Sequence, residues 1–360
     1  MSLISHRLFM PKLLMSENRE VRATLRIPPA RLNVSQGWSA FYKLLLSLFK
    51  FLSPFLESTR LRGSSRDLYR GCLRLLLVLL HDFPEFLSEY YFTLCDAVPS
   101  GCIQLRNIIL SAFPSTITLP DPYLLNGVYD SVPEMGPIPP ILSDFSAGLK
   151  SGDLRVYLDQ YLLGRASSTY LPTLKDRLLA PTSDDVSEMY DVPFLNALVM
   201  YVGVSSVAQA KAKSGSSLFN ASDPGVVALR YLAKNLDPEG APDFTVRYNI
   251  HSDSLLGQYL LLNSMVLHLR YPNAHTHWFS SLFLYLYLDA NDDSLREIIT
   301  RVLMERFVVH RPHPWGALVT FIELLRNAKY DFWSKDFVRA APEVALLLDG
   351  VSHFFVNAEF

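Results

Sequence analysis

Glycine is scarce, at 16 residues in a chain of 360, and the loops that cradle phosphates or dinucleotides are built on it. The chain carries no G-x-S-x-G elbow, no phosphate loop, no dinucleotide fingerprint and no H-E-x-x-H helix, so the common catalytic motifs are excluded. Cysteine is scarcer still. Cys72, Cys95 and Cys102 are an odd number without a C-x-x-C pair, which excludes a disulfide framework and a cysteine zinc site and fits small buried hydrophobes in a reducing compartment. Charge is thin as well: charged residues make up 19%, hydrophobic residues 49%, and the formal net charge is −2. That balance excludes a disordered chain and leaves nucleic-acid binding to local patches only. Alternating apolar and polar runs are missing, and the lone Asn126-Gly127 lies among prolines, so no hairpin is read. The opening MSLISHRLFMPKLL lacks the layout of a secretory leader and starts as though inside a helix, which reads as a piece of a longer protein.

What is present is helical periodicity. In WSAFYKLLLSLFKFLSPFL the positions Phe41, Leu44, Leu45, Leu48, Leu52 and Phe55 follow three-and-four spacing. DLYRGCLRLLLVLLHD is apolar almost all round from Leu73 to Leu80 and predicts a central helix covered on several sides. Pro84 opens the next helix and Pro114 closes the one after it. Seven prolines then fall between Pro114 and Pro140, a density that forbids regular helix. Enough apolar residues remain there to predict an extended segment lying over neighbouring helices. Val192 to Ala210 carries no charge over 19 residues, nearly the length of a bilayer span. Its Asn196, Ser205, Ser206 and Gln209, and the lack of an aromatic–basic belt, favour a helix buried by other helices. The last third is helix after helix with very short joints, which makes neighbours antiparallel. The fold expected is all-α, an irregular α-solenoid of HEAT-like antiparallel helix pairs. Its expected parts are an N-terminal lobe over 1–113, a proline-rich connector over 114–150 and a C-terminal lobe over 151–360.

Three clusters carry candidate chemistry. In LRYPNAHTHWFS, His275 and His277 lie two apart, and on a helix that spacing sets them about 200° from each other. No cysteine or second acidic ligand lies nearby to complete a metal site. The readings are a helix joint held by histidine hydrogen bonds, a partner-contacting patch, or, third, a metal-dependent hydrolase using His275, His277 and His310 or His313. In VHRPHPW two prolines pin a turn ahead of Trp315, either as a rigid joint or as a rim for an extended peptide. Arg62, Arg66, Arg70 and Arg74 form a stripe four residues apart, with Arg60 beside it. The default there is a solvated face, and the sharper alternative is an RNA-binding or acidic-partner surface.

At these motifs a family resemblance emerges. LLLVLLHDFPEFLSEYYFTLCDAVPSGCIQLRNIILSAFPSTITLPDP (75–122), NALVMYVG (196–203), LRYPNAHTHWFS (269–280), ITRVLMERFVVHRPHPWGALVTFIELLRN (299–327) and FWSKDFVRAAPE (332–343) occur in the order seen in the C-terminal region of the Not-one family, the scaffold subunits of the Ccr–Not mRNA deadenylase complex. About 123–191 and 211–253 show little resemblance. The resemblance implies a HEAT-like domain without enzymatic activity, metal or cofactor. It implies docking of the Not-box subunits Not-two and Not-three (Not-five in yeasts) through extended segments, and of translational repressors such as Nanos. The implied setting is cytoplasmic, with the nucleus as a second compartment, and no membrane. The partner anchors it suggests are Tyr271, Asn273, His275, His277, Trp278, Arg311, His313 and Trp315.

Overall fold

A computed structural model describes residues 34–57, 63–99, 101–122, 138–149, 154–165, 169–179, 190–213, 217–236, 255–309, 312, 314–339, 346 and 348. Its helices are α1 (Val34–Glu57), α2 (Gly63–Asp82), α3 (Pro84–Asp96), α4 (Ile103–Ser111), α5 (Leu154–Leu162), α6 (Tyr170–Arg177), α7 (Val192–Ala212), α8 (Pro224–Asn235), α9 (Leu256–Val266), α10 (Ala274–Asp289), α11 (Asp293–Val309), α12 (Trp315–Arg326) and the single turn α13 (Asp336–Arg339). Among the described residues the only β pairing is an isolated bridge between Leu179 and Tyr190, so the fold is all-α. The chain divides into two compact units, one of 1–116 with 140–143 and one of 117–139 with 144–360.

In the first unit the central helix is α3, not α2 as the sequence predicts. Phe86, Leu87, Tyr90, Tyr91, Phe92, Leu94 and Cys95 are all buried, and α1, α2 and α4 pack round them. On α2 only Cys72, Leu75, Leu76 and Leu79 are buried, and Leu77 is half in solvent. Pro84 occupies the first helical position, where its missing N–H leaves no donor unpaired. Rings lock α1 onto α3: Tyr42 stacks on Tyr90 at 4.5 Å and Phe41 meets Phe86 at 5.4 Å. The returning segment lies across α3, with the Leu142 amide donating to the Glu89 carbonyl at 3.0 Å.

In the second unit, consecutive helices pair and the pairs stack. α7 packs on α8 and α11 on α12, while α7, α9 and α11 touch in succession and α10 meets α12. Contacts between each helix and its second neighbour are what stacked helix pairs produce. The uncharged α7 is the hub, with Asp191 capping the Phe194 amide at 2.9 Å and its apolar surface covered on most sides. α1 and α7 are both long and apolar enough, by length and composition, to cross a membrane. α7 and α10 approach closely at Gly203, where a Cβ would lie 2.5 Å from Cζ of Phe279; only a hydrogen fits. The 3-10 turn Phe145–Leu149 also packs on α7.

Candidate functional site

The α9–α10 joint, Leu267 to Asn273, is where the sequence motifs converge. Asn273 caps α10: its Oδ1 accepts from the Thr276 amide at 3.0 Å and its Nδ2 donates to the Tyr271 carbonyl at 2.7 Å. The Thr276 hydroxyl lies 2.8 Å from the Tyr271 carbonyl and 3.2 Å from that of His268, so one side chain ties the turn back on itself. The next pair is clipped to this turn. The Gly316 amide at the start of α12 donates to the Arg270 carbonyl at 2.6 Å. A Cβ on Gly316 would stand 2.3 Å from Cγ2 of Thr276 and 2.9 Å from the carbonyl carbon of Leu269. Further along, the Ser280 and Thr320 hydroxyls meet at 2.6 Å between α10 and α12.

The imidazoles sit in this interior. Burial first, then His275 and Arg270, push His268 down to about 3; burial first, then Lys211, pushes His275 down to about 4. Both are neutral at neutral pH. The His268 ring stacks on Phe279 at 4.6 Å, and Phe279 meets Trp278 edge-on at 4.9 Å. What this arrangement does is hold three helices in fixed register.

The placement corrects several of the sequence expectations. Tyr271, Asn273, His275, Trp278 and Trp315 are all buried, Trp278 completely, and His277 is half-buried. Direct contact with a partner needs exposed surface, and the first five have almost none; their packing inward follows from the apolar turn on which they sit. Trp315 does reach one extended segment, its own chain's: Nε1 donates to the Pro120 carbonyl at 2.7 Å. Pro120 is thereby tied to the start of α12, while residues 123–137 of the proline-rich stretch lie outside the described residues. Arg311, His313 and His310 lie outside the described residues, as do Arg62 and Arg60. Among the described residues no group of three histidine, cysteine, aspartate or glutamate side chains is placed to hold a metal, and His275 and His277 differ in burial as their divergence on a helix requires. Arg66, Arg70 and Arg74 are exposed on one face of α2, with Arg70 3.7 Å from Asp67.

Sequence reasoning missed Thr276, Gly316, Arg270 and the fold-binding role of Asp289. An asparagine between a proline and a helix three residues before a threonine is a cap signal that points to the first; nothing local points to Gly316. Asp289 accepts from Arg230 through both oxygens at 2.6 Å, and Lys234 lies 2.6 Å from it, joining α8 to α10. Burial works to raise its pKa, yet hydrogen bonds from Arg230 and Lys234 outweigh that and hold it below the usual carboxylate range.

Residues 1–352 match the family described as "CCR4-Not complex component, Not1". The chain is 41% identical over 324 residues to the Caenorhabditis elegans "CCR4-NOT transcription complex subunit let-711", covering 89% of this chain and 12% of that protein. It is 32% identical over 356 residues to the Schizosaccharomyces pombe "General negative regulator of transcription subunit 1", covering 98% of this chain and 15% of the relative. The chain therefore spans only about an eighth to a seventh of these curated relatives. Among solved structures it is similar to the NOT1 superfamily homology domain from Chaetomium thermophilum, with TM-score 0.75 and 29% identity, over 99% of this chain and 62% of that one. It is also similar to a Not1 C-terminal domain in complex with Not4, with TM-score 0.69 and 28% identity, over 91% of this chain and 60% of that one.

Proposed function

The chain belongs to the Not1 family of CCR4-Not complex components, and on that premise we propose that it is a non-catalytic docking platform of that complex. The observation that carries the reading is its likeness to a solved Not1 C-terminal domain in complex with Not4, since the same fold there receives another subunit. Stacked helix pairs give a long surface along which an extended segment gains affinity by covering area, despite its ordering cost.

The partners proposed are a Not4-type subunit, the Not-box subunits Not-two and Not-three or Not-five, and translational repressors such as Nanos. Assembly around the chain would then support mRNA deadenylation, decay and translational repression. The site of action proposed is the cytoplasm and, given the transcriptional names of the yeast relatives, the nucleus. In this reading the buried joint contributes rigidity: Asn273, Thr276 and Gly316 fix α9, α10 and α12 so that the outer faces present a constant surface. The aromatics Tyr271, Trp278 and Trp315 serve docking by that route, and Arg311 and His313 are proposed as further anchors. Co-purification of the chain with separately tagged Not4, Not-two and Not-three, followed by cross-linking, tests this; failure to retain any of the three refutes it. The exposed Arg66, Arg70 and Arg74 favour one second reading, an RNA contact. It requires retention of RNA that falls steeply with salt, and no shift at low salt removes it.

A further inference from the structure

The helix α2 buries one face and leaves an unlike one in solvent. Cys72, Leu75, Leu76 and Leu79 are buried. On the opposite side Asp67, Arg70, Arg74, Leu77 and His81 are exposed. These five repeat at three, four, three and four residues and fall within an arc of roughly 80° at 100° per residue. Such spacing is the seam on which a second α-helix packs. It runs for about 21 Å, four helical turns at 1.5 Å per residue, and Arg66 stands exposed beside its first turn.

The chemistry of the seam selects what can lie on it. α2 carries three arginines and no lysine. A guanidinium grips a carboxylate or a phosphate through two parallel N–H bonds, where an ammonium acts only as a point charge. Asp67 lies 3.7 Å from Arg70, and Asp82 pairs with His81 at 2.9 Å; between Asp67 and Asp82 the helix has no acidic residue. Arg74 stands in the middle of that stretch, one turn from Leu77, which is 52% exposed. At the start of α4, Ile103 is 40% exposed, and the neighbouring Gln104 accepts from the Tyr69 hydroxyl at 3.1 Å, which holds this end of α4 against α2. Guanidiniums alone suit RNA phosphates equally well, but a single strand is also held by rings on which its bases stack. Tyr69 is the only Phe, Tyr or Trp of α2; it is half-buried and its hydroxyl is engaged. Exposed aliphatic side chains gain from burial against another apolar side chain and not from a sugar–phosphate backbone.

We propose that the Arg70–Arg74–Leu77 seam of α2 docks an acidic amphipathic helix of another protein, roughly four turns long, with carboxylates facing Arg70 and Arg74 and an aliphatic side chain facing Leu77. The inference rests on the docking-platform reading and adds to it a face and the chemistry of the segment that the face receives.

A photo-crosslinking side chain in place of Leu77, in the full-length protein within its assembled complex, tests it, with one in place of the exposed Thr116 as background. The result expected is a crosslink from position 77 to one acidic, apolar-striped helix of another protein, at least tenfold above that background. R70E/R74E alters exposed side chains only, so the thermal midpoint should hold while the crosslink falls at least tenfold. Lysines in place of the facing carboxylates of the captured helix should then restore it. Crosslinks to RNA, to lipid, to the same chain or to a second copy overturn the proposal. So do a signal no higher than background, a crosslink that survives R70E/R74E, and a charge swap that restores nothing. Retention of Not4, Not-two and Not-three is read separately: its loss from the parent chain refutes the platform, whereas a complex that retains them without the crosslink refutes this seam alone.

Discussion

Acid should loosen the second unit through its two buried imidazoles, by an amount the structure sets. His268 and His275 stay neutral down to about 3 and about 4, chiefly because burial disfavours the charged ring. In the unfolded chain a histidine takes its proton near pH 6.5. The folded values are depressed, so protons bind the unfolded state first, and stability is whole above pH 6.5 and falls as pH drops towards 4. pH 5 lies about 1.5 units below the unfolded pKa of each imidazole and still above its folded one. At about 1.4 kcal/mol per unit, each costs about 2 kcal/mol and the pair about 4. That is a large share of a typical 5–15 kcal/mol and amounts to roughly 8–16 °C for a unit of this size. The depressed Asp289 adds nothing here, because its stabilisation is lost only below about pH 4. Urea unfolding at pH 7.5 and pH 5.0, followed by tryptophan fluorescence, reads the effect where it arises, since Trp278, Trp315 and Trp333 lie in this unit. His275→Gln removes one titrating ring, and its loss between the two pH values should be about 2 kcal/mol smaller than that of the parent chain. An equal loss in both, within about 0.5 kcal/mol, refutes the assignment of His275 as a buried neutral group.

Gly316→Ala places a methyl against Thr276 and the Leu269 backbone; thermal unfolding should show a loss of about 1–3 kcal/mol, the range for overpacking. Asn273→Ala leaves the buried Thr276 amide without its cap, and chemical denaturation should register about 1–2 kcal/mol lost; Asn273→Asp keeps that acceptor but sets a carboxylate oxygen against the Tyr271 carbonyl, so it should not restore the parent stability. Trp315→Phe keeps the ring but removes the donor to the Pro120 carbonyl. The stability cost should be about 1 kcal/mol, and hydrogen exchange over residues 117–122 should rise while that of α7 stays unchanged.

Helix existence was largely legible, because apolar spacing repeats strongly over ten or more residues and Pro84 marks a start that the structure uses, at the opening of α3. Which face is covered was less legible. On α1 the apolar arc is wider than its contact with α3, so Leu44 and Phe55 read as part of the core face while the structure leaves them outside. The same ambiguity affects α5, where Leu154, Leu158 and Tyr161 turn inward while Tyr157, at helical spacing from them, is half-exposed. FWSKDFVRA reads as a helix, but the structure makes it a 3-10 turn and a single α turn, since Asp331 takes a left-handed φ of 48° just before it. At the joint, the divergence of His275 and His277 followed from helical geometry. Their burial did not, because it depends on Gly316, forty-one residues past His275 in sequence, letting α12 close over the turn.

The bond from Trp315 to Pro120 spans 195 residues, and that separation imposes an order on the molecule's making. A contact between distant parts of a chain cannot form until the intervening loop is closed, and the entropy of closure grows with its length. During synthesis the proline-rich segment leaves the ribosome long before Trp315 exists. Residues 117–122 therefore wait for α12, and their seating is among the last events of folding, a report that the C-terminal helices have been completed and stacked.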